Sequence, residues 1–471
     1  MHSGFLIPGI KARINLSFIQ NYLLFMVKLY FSGIVLKIFL FVVFYFWDVS
    51  VTSSGNNSTN MTVSSNKVQP LSNRISNELS DFESFQDLEV RIASILKRYD
   101  MKGASIAVAR DGKLVFAKGL GHADIEKEER VEPGHMFRIA SISKLITATT
   151  IIKLREFGLL DLDDKVFGRE GILNDSLYLN YRDPRVEKIT VRNLLEHSAG
   201  WSHRFGDHLF MSHIISREMK VDLPVRSTDI IRFALSKRLH YNPGSGTSYS
   251  NLGYVILGEV IEKISGLPYE DYVREAILFP LGIKDMRIGK NLEADRFNNE
   301  VKYYEQYNAF KVNSIYDIGE LVPKSYGGND IEVLGAAGGW IASPSELLRL
   351  IVAIDDKNDV PNIISDESIA LMSNTGSSLN RTIGWSRSDR AGNYWRTGTF
   401  AGTSALVIRQ NNGITWSVLF NSSTYKGSAL SREINREVQS ALNKIEKWPD
   451  HDLFHFFENQ PFIYPEIAEL K

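Results

Sequence analysis

The chain contains no cysteine among its 471 residues. That absence excludes disulfide frameworks, thiolate metal sites, CxxC redox chemistry and a cysteine nucleophile. It leaves the compartment open, because a thiol-free chain is indifferent to redox conditions. An excess of one charge is missing too: 54 Lys and Arg stand against 55 Asp and Glu, a formal net charge of −1. Such a chain has no global basic field, which argues against nucleic acid as a partner. No G-x-S-x-G nucleophile elbow occurs. The nearest stretch, Gly103-Ala104-Ser105-Ile106-Ala107, sits in a strand-like run and lacks the final glycine, so the α/β-hydrolase site is excluded. Internal repeats are absent as well. What is present is apolar content of 44% against 23% charged residues, enough to bury a large core.

The amino-terminal residues have lysine and arginine but no acid: Lys11, Arg13, Lys28 and Lys37 are the charges of residues 1–47. Leu29–Trp47 reads LYFSGIVLKIFLFVVFYFW, interrupted only by Lys37. At about 1.5 Å per residue this run is long enough to cross a bilayer core of ~30 Å. Lys37 costs about 2.5–3.5 kcal/mol at mid-membrane, which the surrounding Phe, Leu and Val offset and snorkelling reduces. The rival reading is a cleaved signal peptide, but Phe44–Trp47 run into Asp48 without a small-residue cleavage site. The expectation is a membrane anchor over 1–48 with the carboxyl-terminal bulk on the non-cytoplasmic side. Residues 49–84 follow as a polar tether, Ser/Asn/Thr-rich, with overlapping sequons at Asn56, Asn57 and Asn60.

Residues 85–446 read as one mixed α/β domain. Ala104–Arg110 and Lys113–Lys118 flank Asp111-Gly112, a strong hairpin signal. Thr403–Arg409 and Ile414–Asn421 flank a second turn at residues 410–413. Between them Ser141–Phe157 and Asn251–Ile264 carry helical patterns stopped by glycine. Leu430–Ile445 places Leu430, Ile434, Val438, Ala441, Leu442 and Ile445 on one face. The order predicts an antiparallel sheet completed by both chain ends, flanked by helices, with a mostly helical insertion. Residues 447–471 form an aromatic tail expected to pack on the domain.

Three short motifs carry chemistry. In Phe137-Arg138-Ile139-Ala140-Ser141-Ile142-Ser143-Lys144, Ser141 and Lys144 share one helix face, with Cβ atoms ~5–6 Å apart. A buried lysine loses its proton more easily and can then take the serine proton. Ser143 lies off that face. In Tyr249-Ser250-Asn251 the phenol can act as acid or base beside cations, and the amide can hold both substrate and lysine. The plain alternative makes Tyr249 a core cap and Asn251 a helix N-cap. In Trp395-Arg396-Thr397-Gly398-Thr399, Gly398 lets a substrate approach the backbone and the Thr399 N–H suits an oxyanion donor. Read alone, that segment is a turn. His197, His203, Asp207, His208 and His213 also cluster, but their spacing matches no metal array. His451 and His455 read as surface packing.

The order Ser141-x-x-Lys144, Tyr249-x-Asn251, Arg396-Thr397-Gly398 resembles the serine β-lactamase and penicillin-binding protein superfamily. The Tyr-x-Asn form is similar to the branch holding class C β-lactamases, D-alanyl-D-alanine carboxypeptidases and related esterases. Val191–Gly200, Tyr269–Gly282 and Ala336–Ser345 add to the likeness, which covers roughly residues 90–445. The resemblance implies a Ser141 nucleophile, Lys144 as its base, Tyr249 as proton shuttle and Asn251 as positioning group. It implies an oxyanion hole from the N–H groups of Ser141 and Thr399, with Arg396, Thr397 and Gly398 lining the substrate. No cofactor and no metal are implied.

Ser-Ile-Ser-Lys behind an expected membrane anchor resembles the metazoan mitochondrial branch. That likeness implies a peptidase-type hydrolase of the intermembrane space, tied to lipid metabolism and able to form homo-oligomers or filaments. The sequons and apolar leader fit instead a secretory type II membrane protein. One departure stands out: Arg396 occupies a position where the family usually has Lys or His. Arginine keeps the charge and can clamp a carboxylate bidentately, but cannot give up its proton. The expected activity is acyl-enzyme hydrolysis of a peptide, amide or ester. The alternative is an inactive membrane-associated scaffold.

Overall fold

The fold is built on strands whose two faces are both covered. The structure, a computed structural model, describes residues 75–455 apart from 356–359, 374–378 and 380. Among the described residues one sheet has seven strands: β1 (Gly103–Arg110), β2 (Lys113–Asp124), β3 (Glu129–Arg130), β4 (Arg387–Ser388), β5 (Tyr394–Phe400), β6 (Thr403–Arg409) and β7 (Ile414–Phe420). Their spatial order is β3-β2-β1-β7-β6-β5-β4, each pairing antiparallel, so the last strand of the chain zips onto the first. β1 is GASIAVAR because both its faces are buried. Ile106 and Val108 face one apolar cluster and Ala107 and Ala109 the other. Its turn into β2 takes Asp111 and Gly112 at φ 49° and 82°, the doubly left-handed geometry of a two-residue hairpin.

One face of the sheet is covered by the chain ends, α1 (Gln86–Arg98) and, last in the chain, the helix Leu430–Leu442. On that carboxyl-terminal helix Leu430, Ile434, Val438, Ala441 and Leu442 are buried, as the period-3.6 pattern requires. The other face carries the helical region. At its centre is α2 (Ser143–Glu156), which is buried nearly all round. Its Thr149 and Thr150 hydroxyls survive burial by donating back to the carbonyls of Leu145 and Ile146 at 2.8 and 2.9 Å. Against it lie α3 (Asn251–Ser265) and α4 (Ile331–Gly338). α3 is capped by Ser250 Oγ accepting from the Gly253 N–H and ends on Gly266 at φ 73°. Ser250, not Asn251, is therefore the N-cap, which frees the Asn251 amide for other partners.

The α/β arrangement with an antiparallel sheet agrees with the sequence reading, while boundaries shift. The last part of the expected tether, residues 75–84, belongs to the domain. Ile75 and Ser80 are buried, Ser80 Oγ accepts from the Ala117 N–H, and Asn77 Oδ1 accepts from Gly119 N–H. These groups satisfy β2 edge donors, which a solvated linker would leave to water. Of the aromatic tail, Trp448 meets Phe85 edge-on at 5.8 Å and Phe454 is buried. The expected anchor, the three sequons and residues 456–471 lie outside the described residues. Among the described residues no helix is long and apolar enough to cross a membrane.

Because the carboxyl-terminal helix seals one face, Ile434→Ala should destabilise the protein by about 2–5 kcal/mol. Arg436→Ala, on the exposed side, should stay within about 0.5 kcal/mol. Denaturant midpoints of the two variants beside wild type check this.

Candidate active site

The site forms where α2 begins beside β5. Ser141 sits in a single 3-10 turn, Ala140–Ile142, that leads directly into α2. Ala140 adopts φ 46°, a left-handed conformation that a non-glycine residue takes only when its surroundings enforce it. The enforcement is visible on both sides. Ile139 N–H donates to the Trp340 carbonyl at 3.0 Å, and Arg396 Nε donates to the Ser141 carbonyl at 2.8 Å. Gly398 of β5 lies so close that an added Cβ would come 2.1 Å from the Ile139 oxygen, so only glycine admits this approach. Ser143 is buried and structural: its hydroxyl accepts from the Trp340 N–H.

Three motif side chains converge on Ser141. Ser141 Oγ and Tyr249 Oη are 2.6 Å apart, and Lys144 Nζ is 3.4 Å from Ser141 Oγ. Lys144 is fully buried and donates to Asn251 Oδ1 at 2.7 Å and to the Ala337 carbonyl at 2.5 Å. A neutral amine has two N–H donors and one lone pair. With both donors on neutral acceptors, the lone pair is left for the serine hydroxyl. Burial drives the Lys144 pKa down to about 8, with the neighbouring Arg396 charge adding to it and Tyr249 opposing. Burial opposes ionisation of Tyr249, yet the Lys144 and Arg396 cations outweigh it and bring the phenol down to about 8. The two groups share protons, so the pair titrates as a unit.

Three of the clustered polar residues, His197, His203 and Asp207, hold the Tyr-x-Asn segment and the residue before it. Asp207 Oδ2 accepts from Asn251 Nδ2 at 2.7 Å, which fixes the amide with its oxygen toward Lys144. His197 Nδ1 accepts from the Ser250 N–H at 3.2 Å, and its ring lies 4.7 Å from that of Tyr249. Burial and the nearby cations hold His197 well below its usual pKa, so it stays a neutral acceptor. His203 Nδ1 contacts Ser248 Oγ at 3.0 Å. Reasoning from sequence missed these roles. Their signal was position: short segments before Tyr249 rich in groups that can bond a backbone.

Arg396 departs from the expected carboxylate clamp. It is buried, with Nε on the Ser141 carbonyl, Nη1 on the Gly384 carbonyl at 2.8 Å and Nη2 3.4 Å from Tyr249 Oη. Its fork is spent on main-chain carbonyls, so it locks the nucleophile turn and supplies charge to Tyr249. On β5 the carbonyl of Trp395 accepts from the Ser386 N–H at 3.0 Å. Main-chain groups of residue 395 therefore point to the outer edge, and by alternation so do those of Thr397 and Thr399. β4 pairs only with Tyr394 and Trp395, so past Trp395 that edge has no strand partner among the described residues. The Thr397 and Thr399 side chains belong to the opposite face from Arg396, so what they offer the cleft is backbone. Tyr249, 39% exposed, marks the opening.

The Beta-lactamase family model matches residues 88–440. The chain belongs to this family. Protein flp of Staphylococcus aureus (strain MW2) is 30% identical over 202 residues, 43% of this chain and 38% of that protein. Penicillin-binding protein 4* of Bacillus subtilis (strain 168) is 28% identical over 215 residues, 45% and 44% respectively. The chain thus spans less than half the length of these curated relatives. Among solved structures, the octameric penicillin-binding protein homologue from Pyrococcus abyssi matches with TM-score 0.57 at 28% identity, covering 76% of each chain. D-amino acid amidase from Ochrobactrum anthropi SV3, complexed with L-phenylalanine, gives 0.61 at 20% identity over 78% of this chain and 100% of that one, a likeness of fold. The beta-lactamase-like family is one of serine hydrolases, and this member carries its fold over nearly all of the described residues.

Two outcomes follow from the site. Reaction of Ser141 with a neutral serine-directed probe should rise with pH through an apparent pKa near 8, since the pair must lose a proton to accept one from Ser141. A stopped-time labelling series from pH 6 to 10 reads it, and Tyr249→Phe should slow the plateau by about 10²–10⁴-fold. Asp207→Ala should leave the fold intact but release the Asn251 amide, cutting the labelling rate by up to about 10²-fold.

Proposed function

We propose that this chain hydrolyses a peptide, amide or ester through an acyl-enzyme on Ser141. The observation that carries the reading is the 2.6 Å contact of Ser141 Oγ with Tyr249 Oη beside a buried Lys144 at 3.4 Å. Ser141 Oγ attacks the substrate carbonyl carbon while its proton passes to the Tyr249–Lys144 pair. The new oxyanion lies between the N–H of Ser141, in the turn that leads into α2, and the edge N–H of Thr399. Collapse breaks the bond to the leaving group, which takes the proton back from the pair. Water then attacks the acyl-enzyme and gives its proton to the pair, which returns it to Ser141 Oγ as the bond to the acyl group breaks and the acid product leaves. Asn251, held by Asp207, keeps Lys144 aimed.

The substrate class follows from Arg396. With Nε and Nη1 tied to carbonyls, the site has no free fork for a carboxylate adjoining the scissile bond. The reading therefore favours neutral esters, amides and internal peptide bonds over substrates with a terminal carboxylate at that position. A peptidase role linked to lipid metabolism, an anchor through residues 29–47 and a mitochondrial intermembrane location extend the proposal. Their support is the apolar run and the Ser-Ile-Ser-Lys likeness, with the sequons supporting the secretory route as the rival. Assembly into homo-oligomers rests on the same likeness, and the Pyrococcus homologue is itself described as octameric.

A second reading, an inactive scaffold, is favoured by one observation: arginine replaces a residue able to exchange protons. Intact mass after a fluorophosphonate probe separates the two. The hydrolase predicts one adduct on wild type, none on Ser141→Ala and slowed labelling on Lys144→Ala. No adduct on folded wild type would establish the scaffold.

A further inference from the structure

A second cavity lies on the reverse face of the strand that carries Arg396. Its volume is about 570 Å³, within the range of small-molecule sites. The floor is apolar, made by Trp395 of β5 and Leu406 and Ile408 of β6. One wall is the carboxyl-terminal helix, which presents Ser431, Asn435 and Gln439 there, spaced four residues apart and so on one stripe. This polar stripe runs beside the helix's apolar one. Ile434 and Val438 of the helix share an apolar cluster with Leu406 and Ile408, and Trp395 at its margin stays partly exposed. The other wall is formed by the turns at residues 389–393 and 410–412.

Two residues of the lining each hold a buried polar atom without a partner. Gln410 is buried at 6% exposure and its Nε2 has no hydrogen-bond partner among the described residues, and neither does the buried Asn435 Oδ1. Both residues line the cavity. A stranded buried donor or acceptor costs about 1–3 kcal/mol, which a bound group returns when it completes the bond. One is a donor and the other an acceptor, so the missing partner both gives and takes hydrogen bonds. Charge does not select it. Asp389 and Arg432 are the charged residues of the lining, one of each sign, and the Asp389 carboxylate is already occupied by the N–H groups of Ala391 and Asn393. The lining instead carries six carboxamides, Asn393, Asn411, Asn412, Asn435, Gln410 and Gln439; that of Asn393 is spent on Asp389 Oδ2 and the Asn411 N–H, and Asn412 Oδ1 accepts from the Ile414 N–H. A carboxamide offers an N–H and a C=O in one plane, which matches adjacent hydroxyls, and an indole offers a flat apolar surface.

We propose that this cavity binds a neutral saccharide, a pyranose ring resting on Trp395 with its hydroxyls bonded by Gln410, Asn435 and Gln439. The site is distinct from the Ser141 cleft, and the two are joined through one strand. Trp395 and Arg396 are neighbours on β5, so one points to the saccharide and the other to the Ser141 carbonyl.

The test uses the full chain and three probes: methyl β-D-glucopyranoside, methyl β-D-galactopyranoside and N-acetylglucosamine, read by saturation-transfer NMR and calorimetry. The expected result is saturable binding of at least one probe. It should be weakened about tenfold or more by Gln410→Met and by Asn435→Leu, each removing one unfinished partner. Ser141→Ala should bind as wild type, and fluorophosphonate labelling should be unchanged in Asn435→Leu. Absence of saturable binding for all three up to roughly 50 mM, weaker than any specific millimolar site, would overturn the proposal. So would binding that survives both cavity substitutions or is lost in Ser141→Ala, since it would then belong to the catalytic cleft.

Discussion

Burial of Lys144 is the constraint on which the rest of the site depends. An ammonium removed from water with only neutral acceptors around it is disfavoured, and Asn251 Oδ1 and the Ala337 carbonyl are neutral. The same two acceptors are geometrically sufficient for a neutral amine. The energy that would hold a proton on Lys144 in water is thus turned toward Tyr249 and Ser141. Arg396 reinforces this by placing a permanent charge on the far side of Tyr249, 3.4 Å from its oxygen. The phenol then shares the titration range of the lysine although burial alone would push it the other way.

This chemistry requires a backbone that folding alone would not choose. Ala140 is left-handed, and the turn that holds it is clamped between the small strand Trp340–Ala342 and β5. Gly398 makes the close approach sterically feasible, and Arg396, two residues earlier on the same face of the strand, ties the Ser141 carbonyl. Arginine therefore acts here as a structural latch as well as a charge. The sheet gives the latch its rigidity, because β5 is hydrogen-bonded to β6 along its whole length, from Tyr394 to Phe400.

Much of this was legible in the chain. The hairpin at Asp111-Gly112, the apolar stripe of Leu430–Leu442 and the glycine stop at Gly266 are local signals, and they predicted elements close to those observed. Ser141 and Lys144 were legible because three residues along a helix is a fixed geometry. Tyr249 and Arg396 lie 108 and a further 147 residues away, and only their order and family likeness suggested that they meet. Asp207 and His197 were in view but misjudged in importance. Nothing local distinguishes a carboxylate that orients a distant amide from one that faces water. Residues 75–84 were read as tether because Ser and Asn resemble linker composition. The burial of Ser80 and the bonds of Asn77 to β2 depend on a partner strand that composition does not show.

The most direct test of the account is the titration of Lys144 itself, followed by the ¹³Cε resonance of labelled lysine in the full chain and assigned with Lys144→Ala. The account predicts an apparent pKa near 8, accompanied by a change in tyrosine absorbance over the same range that is lost in Tyr249→Phe. A Lys144 that stays protonated to about pH 10 or above, as an ordinary lysine does, with no tyrosine transition beneath it, would contradict the claim that burial arms Ser141.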